Sequence, residues 1–140
     1  MSHPSRIVVT LPGQRRVVAQ VRGHVIHTDQ PVDNGGGDTA PTPFELFLAS
    51  LGTCAGIFVQ GFCAKRGLST EGLRLIEEPT FDEDGVLRRV QVRIEVPPGF
   101  PPQYREALVR VAEQCSVKRA IAAQPTFEVE TVACEVPSTA

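Results

Sequence analysis

The sequence predicts an α+β fold with antiparallel sheets, and three observations carry that prediction. Short β-branched runs at 7–11, 17–22 and 25–28 are separated by Pro12-Gly13 and by Gly23. A long apolar stretch, 46–62, follows a helix-start signal at 42–45. Two more β-rich runs bracket Asp82-Glu-Asp-Gly85 ahead of a second helical pattern. Strands, long helix, hairpin, helix and strand in this order do not alternate as parallel βαβ units would.

Taken in order, Ile7–Leu11, Val17–Arg22 and Val25–Thr28 read as a meander. Gln30 to Pro43 is loop by composition, with glycines at 35, 36 and 37. No Gly-Lys-Ser/Thr follows those glycines, which argues against a phosphate loop. At the helix start, Thr42 fits the N-cap, Pro43 the first helical position and Glu45 the return arm of a capping box. The helix should run to about Arg66 and stop at Gly67, which suits the left-handed C′ position. Its apolar residues surround the axis, so burial on most sides is expected. The stretch is short for a membrane span, is interrupted by Ser50, Gly52 and Thr53, and leads into Lys65-Arg66.

Leu73–Phe81 and Val86–Val96 form the expected hairpin around the Asp82–Gly85 turn. Val90, Val92, Ile94 and Val96 alternate with Gln91, Arg93 and Glu95, so one face should meet the core. After a Pro-rich break, a helix from about Gln103 places Tyr104, Leu108, Val111 and Cys115 on one face. Ser116 can cap a further segment from Val117 to about Ala123. Thr126–Val136 reads as a final strand.

With 140 residues, the chain fits one domain spanning 1–140. Folding at this length buries roughly two-thirds of the surface the unfolded chain exposes, enough for a core without staples. A net charge of −2 carries no basic excess, so neither nucleic acid nor an anionic membrane is the expected partner. Met1-Ser-His-Pro-Ser-Arg-Ile lacks a signal-peptide pattern, and a cytoplasmic location is expected.

Four cysteines stand at 54, 63, 115 and 134, with no C-x-x-C. His3, His24 and His27 are remote from them, and His24 and His27 should point to opposite faces of a strand, so a metal site is not expected. Cys54 and Cys63 are nine residues apart and face opposite sides of an ideal helix. Cys63 and Cys134 read as small buried hydrophobes. Cys115 has two readings: the end of a core stripe, or a thiol activated by a helix start with Lys118 and Arg119 close by.

Asn34-Gly-Gly-Gly-Asp-Thr-Ala-Pro-Thr-Pro-Phe-Glu-Leu-Phe-Leu-Ala-Ser-Leu-Gly-Thr-Cys54 resembles the Gly-Gly loop, helix start and mid-helix cysteine of the OsmC/Ohr family. Glu113-Gln-Cys115-Ser-Val-Lys-Arg119 resembles the site of its second cysteine, and the likeness extends from about residue 15 to residue 136. That resemblance implies antiparallel sheets wrapped around two long helices in an intertwined homodimer. It implies a thiol peroxidase in which Cys54 reduces an organic hydroperoxide and is resolved by Cys115. A dithiol or lipoyl-type reductant would close the cycle, with no cofactor. An Arg from the N-terminal strands, here Arg15, Arg16 or Arg22, would face Cys54. It would be held by a Glu ten residues before that cysteine, where this chain has Phe44. That departure is nearer the OsmC-like branch of the family. Glu45 lies about half a turn out of phase with Cys54 and reads as a cap.

Apolar neighbours of Cys54 (Leu51, Ile57, Phe58) favour alkyl or lipid hydroperoxides over hydrogen peroxide. A different class of function is a dimer that binds a small hydrophobic ligand in the same pocket, which Phe44 favours. A thiol sensor without turnover is a third.

Overall fold

The computed structural model describes residue 3 and residues 6–134. Strands β1 (Val8–Gly13), β2 (Arg16–Val21) and β3 (His24–Thr28) form an antiparallel meander in sequence order. Register pairs Val17 with Thr28 and Val21 with His24. The turn is therefore Arg22-Gly23, both at positive φ, a type I′ geometry matched to strand twist.

The loop that follows is fastened by Asp29, which is only 2% exposed. Its carboxylate accepts the Thr39 hydroxyl at 2.6 Å, the Thr39 amide at 3.1 Å and the Gln30 amide at 2.8 Å. Led by the Thr39 hydroxyl, these bonds pull its pKa down to about 2. Gly36 sits where the chain folds against Gln30: an added Cβ would stand 2.0 Å from the Gln30 carbonyl oxygen. The Gly-rich run is thus fixed by close backbone approach.

Helix α1 (Pro43–Lys65) begins with the expected capping box. The Glu45 amide donates to Thr42 Oγ1 at 3.1 Å and the Thr42 amide to Glu45 Oε1 at 2.9 Å. At the far end Gly67 adopts φ 65°. There the Leu68 and Gly67 amides close on the Cys63 and Ala64 carbonyls. Strands β4 (Arg74–Phe81) and β5 (Leu87–Glu95) pair antiparallel across a turn in which Asp82 Oδ1 accepts the Asp84 and Val86 amides. Helices α2 (Arg105–Ala112) and α3 (Ser116–Ala122) complete the α+β fold.

The core lies where α1, α2 and the hairpin meet, around Val59, Phe62, Cys63, Phe100 and Leu108, with Ile94 and Tyr104 against them. Full burial of an aliphatic side chain such as Leu108 stabilises by about 1.5–3 kcal/mol. Phe62 and Tyr104 meet edge to face at 5.8 Å, and the Arg66 guanidinium stacks 3.7 Å over the Phe62 ring.

Three expectations need correction. Helix α1 buries one face, through Ala55, Val59, Phe62 and Cys63, and leaves Ile57 67% exposed. By length and composition alone it could cross a membrane. The helix expected from about Gln103 and the further segment expected from Val117 are α2 and α3, parted where the Gln114 amide tightens onto Val111 and Cys115 turns extended. Thr126–Cys134 forms no strand, and it exposes Phe127 and Val129; the last two residues of the expected strand, 135 and 136, lie outside the described residues. Cys134 is exposed rather than buried.

Candidate functional site

The break between α2 and α3 builds the site. Cys115, not Ser116, is the N-cap of α3: its sulfur accepts the Lys118 amide at 3.4 Å, as a capping oxygen would. Its φ of −51° and ψ of 121° end one helix and begin the next. Cys115 is 3% exposed and still faces the core with Leu108, so the predicted stripe survives the break. Its thiol also points to the Leu51 carbonyl of α1, 4.0 Å away.

That one-residue shift in the cap leaves the Ser116 hydroxyl free, and it lies 3.4 Å from Cys54 Sγ. Cys54 therefore faces the start of α3 from the middle of α1. Burial pushes its thiol up, but hydrogen bonds from the Ser116 hydroxyl, the Val117 amide, Cys115 and the Ser116 amide outweigh burial. Together they lower its pKa from 9.0 to about 7. Cys54 and Cys115, singled out from sequence, are thus neighbours through side chains of two helices.

Cys63 stands apart. It is fully buried and its thiol is pushed up by burial, with only partial relief from the Arg66 charge. Arg15, Arg16 and Arg22 are not among the groups acting on Cys54. Phe44 packs instead against Phe47 and Phe81, at 5.5 and 6.0 Å between ring centroids. Among the described residues no cluster of His, Cys, Asp and Glu could hold a metal.

A groove of about 610 Å³ lies between β5 and α2, lined by Val90, Val92, Ile94, Leu108, Leu51 and Cys115 among others; Cys54 is not part of its lining. The expected hairpin face supplies its wall. Ile57 and Phe58, expected around Cys54, are not part of it.

Two residues escaped the sequence reading. Ser116 was taken for a cap, and only the actual cap position frees its hydroxyl. Glu77 of β4 buries Oε1 beside Gly52 without a well-placed donor, and desolvation raises its pKa despite an interaction with the Gly52 backbone. Alternation along β4 gives no sign of this.

The family described as OsmC-like protein matches residues 35–130. The fold resembles that of a protein from Psychrobacter arcticus 273-4 assigned to osmotic stress induction and detoxification response, with TM-score 0.72 and 20% identity. That likeness covers 86% of this chain and 90% of the other. An OsmC like protein from Mycoplasma pneumoniae aligns with TM-score 0.68 and 16% identity over 89% of this chain and 91% of the other. An organic hydroperoxide resistance protein from Elizabethkingia anophelis gives TM-score 0.59 and 19% identity over 89% and 93%. At these identities the likeness establishes the fold. No curated protein matches the sequence.

Proposed function

The chain belongs to the OsmC-like family, and from that premise we propose that it is a cysteine-based thiol peroxidase acting on organic hydroperoxides. The observation that carries this reading is the adjacency of two thiols of unlike environment. Cys54 is held near pKa 7 by donors from the α3 start, and Cys115 is one of the groups bonded to it.

In this reading the Cys54 thiolate attacks the distal oxygen of the hydroperoxide. The O–O bond breaks, the distal oxygen passes to sulfur with its proton so that Cys54 is oxidised to a sulfenic acid, and the alkoxide leaves and takes a proton from water to become the alcohol. Cys115 then attacks that sulfur, displacing water and forming the Cys54–Cys115 disulfide. An external dithiol, of lipoyl type, reduces the bond and becomes a disulfide itself. The apolar groove, lined by Cys115, which is hydrogen-bonded to Cys54, favours an alkyl or lipid hydroperoxide, because burying the tail is favourable.

The working unit is a homodimer. Ile57 at 67% exposure on α1, Phe127 at 86% and Val129 at 96% leave apolar surface that a second copy would cover. Strands β1–β3 pair among themselves with little packing on the helices, and carry exposed Val9, Leu11 and Val25. Sedimentation at micromolar concentration should give about twice the 15.2 kDa chain mass. A folded monomer there rejects the dimer.

Phe44, packed against Phe47 and Phe81 in place of an acid, favours a second reading: a non-catalytic dimer holding a hydrophobic ligand. Steady-state consumption of cumene hydroperoxide with a dithiol separates the two. The peroxidase turns over repeatedly, faster than with hydrogen peroxide. In a single turnover without dithiol, Cys115→Ser should consume one equivalent and leave a dimedone-reactive sulfenic acid on Cys54. Unreacted thiols in the wild type select the binding module.

A further inference from the structure

We infer that Ser116 is a catalytic residue, its hydroxyl donating a hydrogen bond to the Cys54 sulfur and so holding that sulfur as the attacking thiolate. Three observations converge on this role. The two side chains meet at 3.4 Å across a separation of 62 residues, joining α1 to α3 at the reacting atom. Ser116 occupies the first helical position of α3, because the Cys115 sulfur has taken the N-cap role by accepting the Lys118 amide. A serine at the N-cap spends its oxygen on the helix; one residue later the hydroxyl has no such duty. The groups that favour the Cys54 anion are hydrogen-bond donors from Ser116, Val117 and Cys115, with no cation among them.

Direction of donation follows from protonation. Between a neutral thiol and a hydroxyl either atom can donate. Once Cys54 has lost its proton it can only accept, and the bond to Ser116 becomes charge-assisted, the stronger kind. The hydroxyl thus stabilises the anion more than the thiol, which is what lowers a pKa. In the oxidation step Ser116 neither gains nor loses a proton. The electrons that break the O–O bond come from Cys54, the distal oxygen carries its proton to sulfur, and the leaving oxygen is protonated by water. Cys115 is the titratable side chain that shares this contact. Lys118 adjoins Cys115 through its backbone amide and also lines the groove.

The attack on a hydroperoxide rests on the peroxidase reading, whereas the thiolate does not, so the test reads the thiolate directly. Iodoacetamide alkylation of Cys54 is followed as a function of pH by peptide mass spectrometry in the wild type, Ser116→Ala, Ser116→Thr and Ser116→Pro. Losing one hydrogen bond to a charged group should raise the midpoint in Ser116→Ala by about one unit, or about tenfold less thiolate at low pH. Ser116→Thr keeps a hydroxyl and should restore the wild-type midpoint. Proline suits a first helical position, and the Cys115 ψ of 121° accommodates it. Ser116→Pro therefore keeps the helix while removing both hydroxyl and amide, and should raise the midpoint at least as far as alanine. It repeats the test if the alanine variant fails to fold. A midpoint unmoved by alanine and proline overturns the inference. So does a rise that threonine leaves uncorrected, because that assigns the effect to packing. If the wild type consumes no peroxide but the midpoints shift as described, the peroxidase reading falls and the role of Ser116 stands.

Discussion

Cys54 and Cys63 share one helix and one side-chain chemistry, and the fold drives their thiols in opposite directions. Both feel burial, which disfavours the charged form. At Cys54 the start of α3 brings hydroxyl, amide and thiol donors that outweigh burial and set the pKa at about 7. At Cys63 the neighbours are Val59, Phe62, Phe100 and Leu108, which offer no such donors, and the Arg66 charge only partly offsets the rise. Half a turn of helical phase thus separates the proposed nucleophile from a packing atom. What decides is the element brought against each face, not the apolar sequence around each cysteine.

The largest effect should come from removing the nucleophile. In a single-turnover assay Cys54→Ser should consume no hydroperoxide above background, and Cys63→Ser should match the wild type. Equal consumption by wild type and Cys54→Ser would erase the distinction between the two thiols.

A smaller, graded effect follows from pH. With the folded pKa at about 7, the Cys54 thiolate fraction falls about tenfold per pH unit below that value and levels off above it. The rate of the first oxidation should follow the same curve. Continued climbing to pH 9 would mean the donors do not act. The same depression has a stability consequence. Because the folded pKa lies below the ordinary 9.0, the thiolate contributes stability fully above pH 9 and loses it as pH falls through about 7.

Much of this arrangement was legible in the sequence, for local reasons. Thr42, Pro43 and Glu45 specify the start of α1 through atoms within one turn, and Gly67 specifies its end. The Asp82–Gly85 turn and the alternation from Val90 to Val96 fix the hairpin in the same way. What escaped depends on competition or on distant partners. Whether Cys115 or Ser116 caps α3 turns on one residue of backbone geometry, and a sulfur is a weaker acceptor than the hydroxyl that sequence reasoning favours. The Thr126–Val136 strand was inferred from composition, but a strand exists only when its backbone finds a partner. Among the described residues, 126–134 adopts no strand. Burial of α1 on most sides was read from its apolar circumference, yet a single chain covers one face. Both misreadings concern surface that the proposed second copy would cover.

The smallest effect sharpens the comparison from the packing side. Cys63→Ser exchanges a buried sulfur for a hydroxyl at a site with 0% exposure, so the oxygen loses water without gaining an apolar contact. One acceptor remains in reach in principle, the helix carbonyl one turn back, to which buried serines commonly bond. That bond should hold the loss to about 1–2 kcal/mol, the lower part of the range for burying a hydroxyl. Cys54→Ser places its hydroxyl at a partly open position beside the Ser116 hydroxyl and should change stability by less than about 0.5 kcal/mol. Urea unfolding of both variants at one fixed protein concentration measures the difference, since a dimer's midpoint moves with concentration. The expected order is the reverse of the peroxide assay: Cys63→Ser weakens the fold and spares the chemistry, and Cys54→Ser spares the fold and removes the chemistry. Equal destabilisation by the two substitutions would mean that Cys54 is as much a packing atom as Cys63, and the opposition between the two faces of α1 would fail.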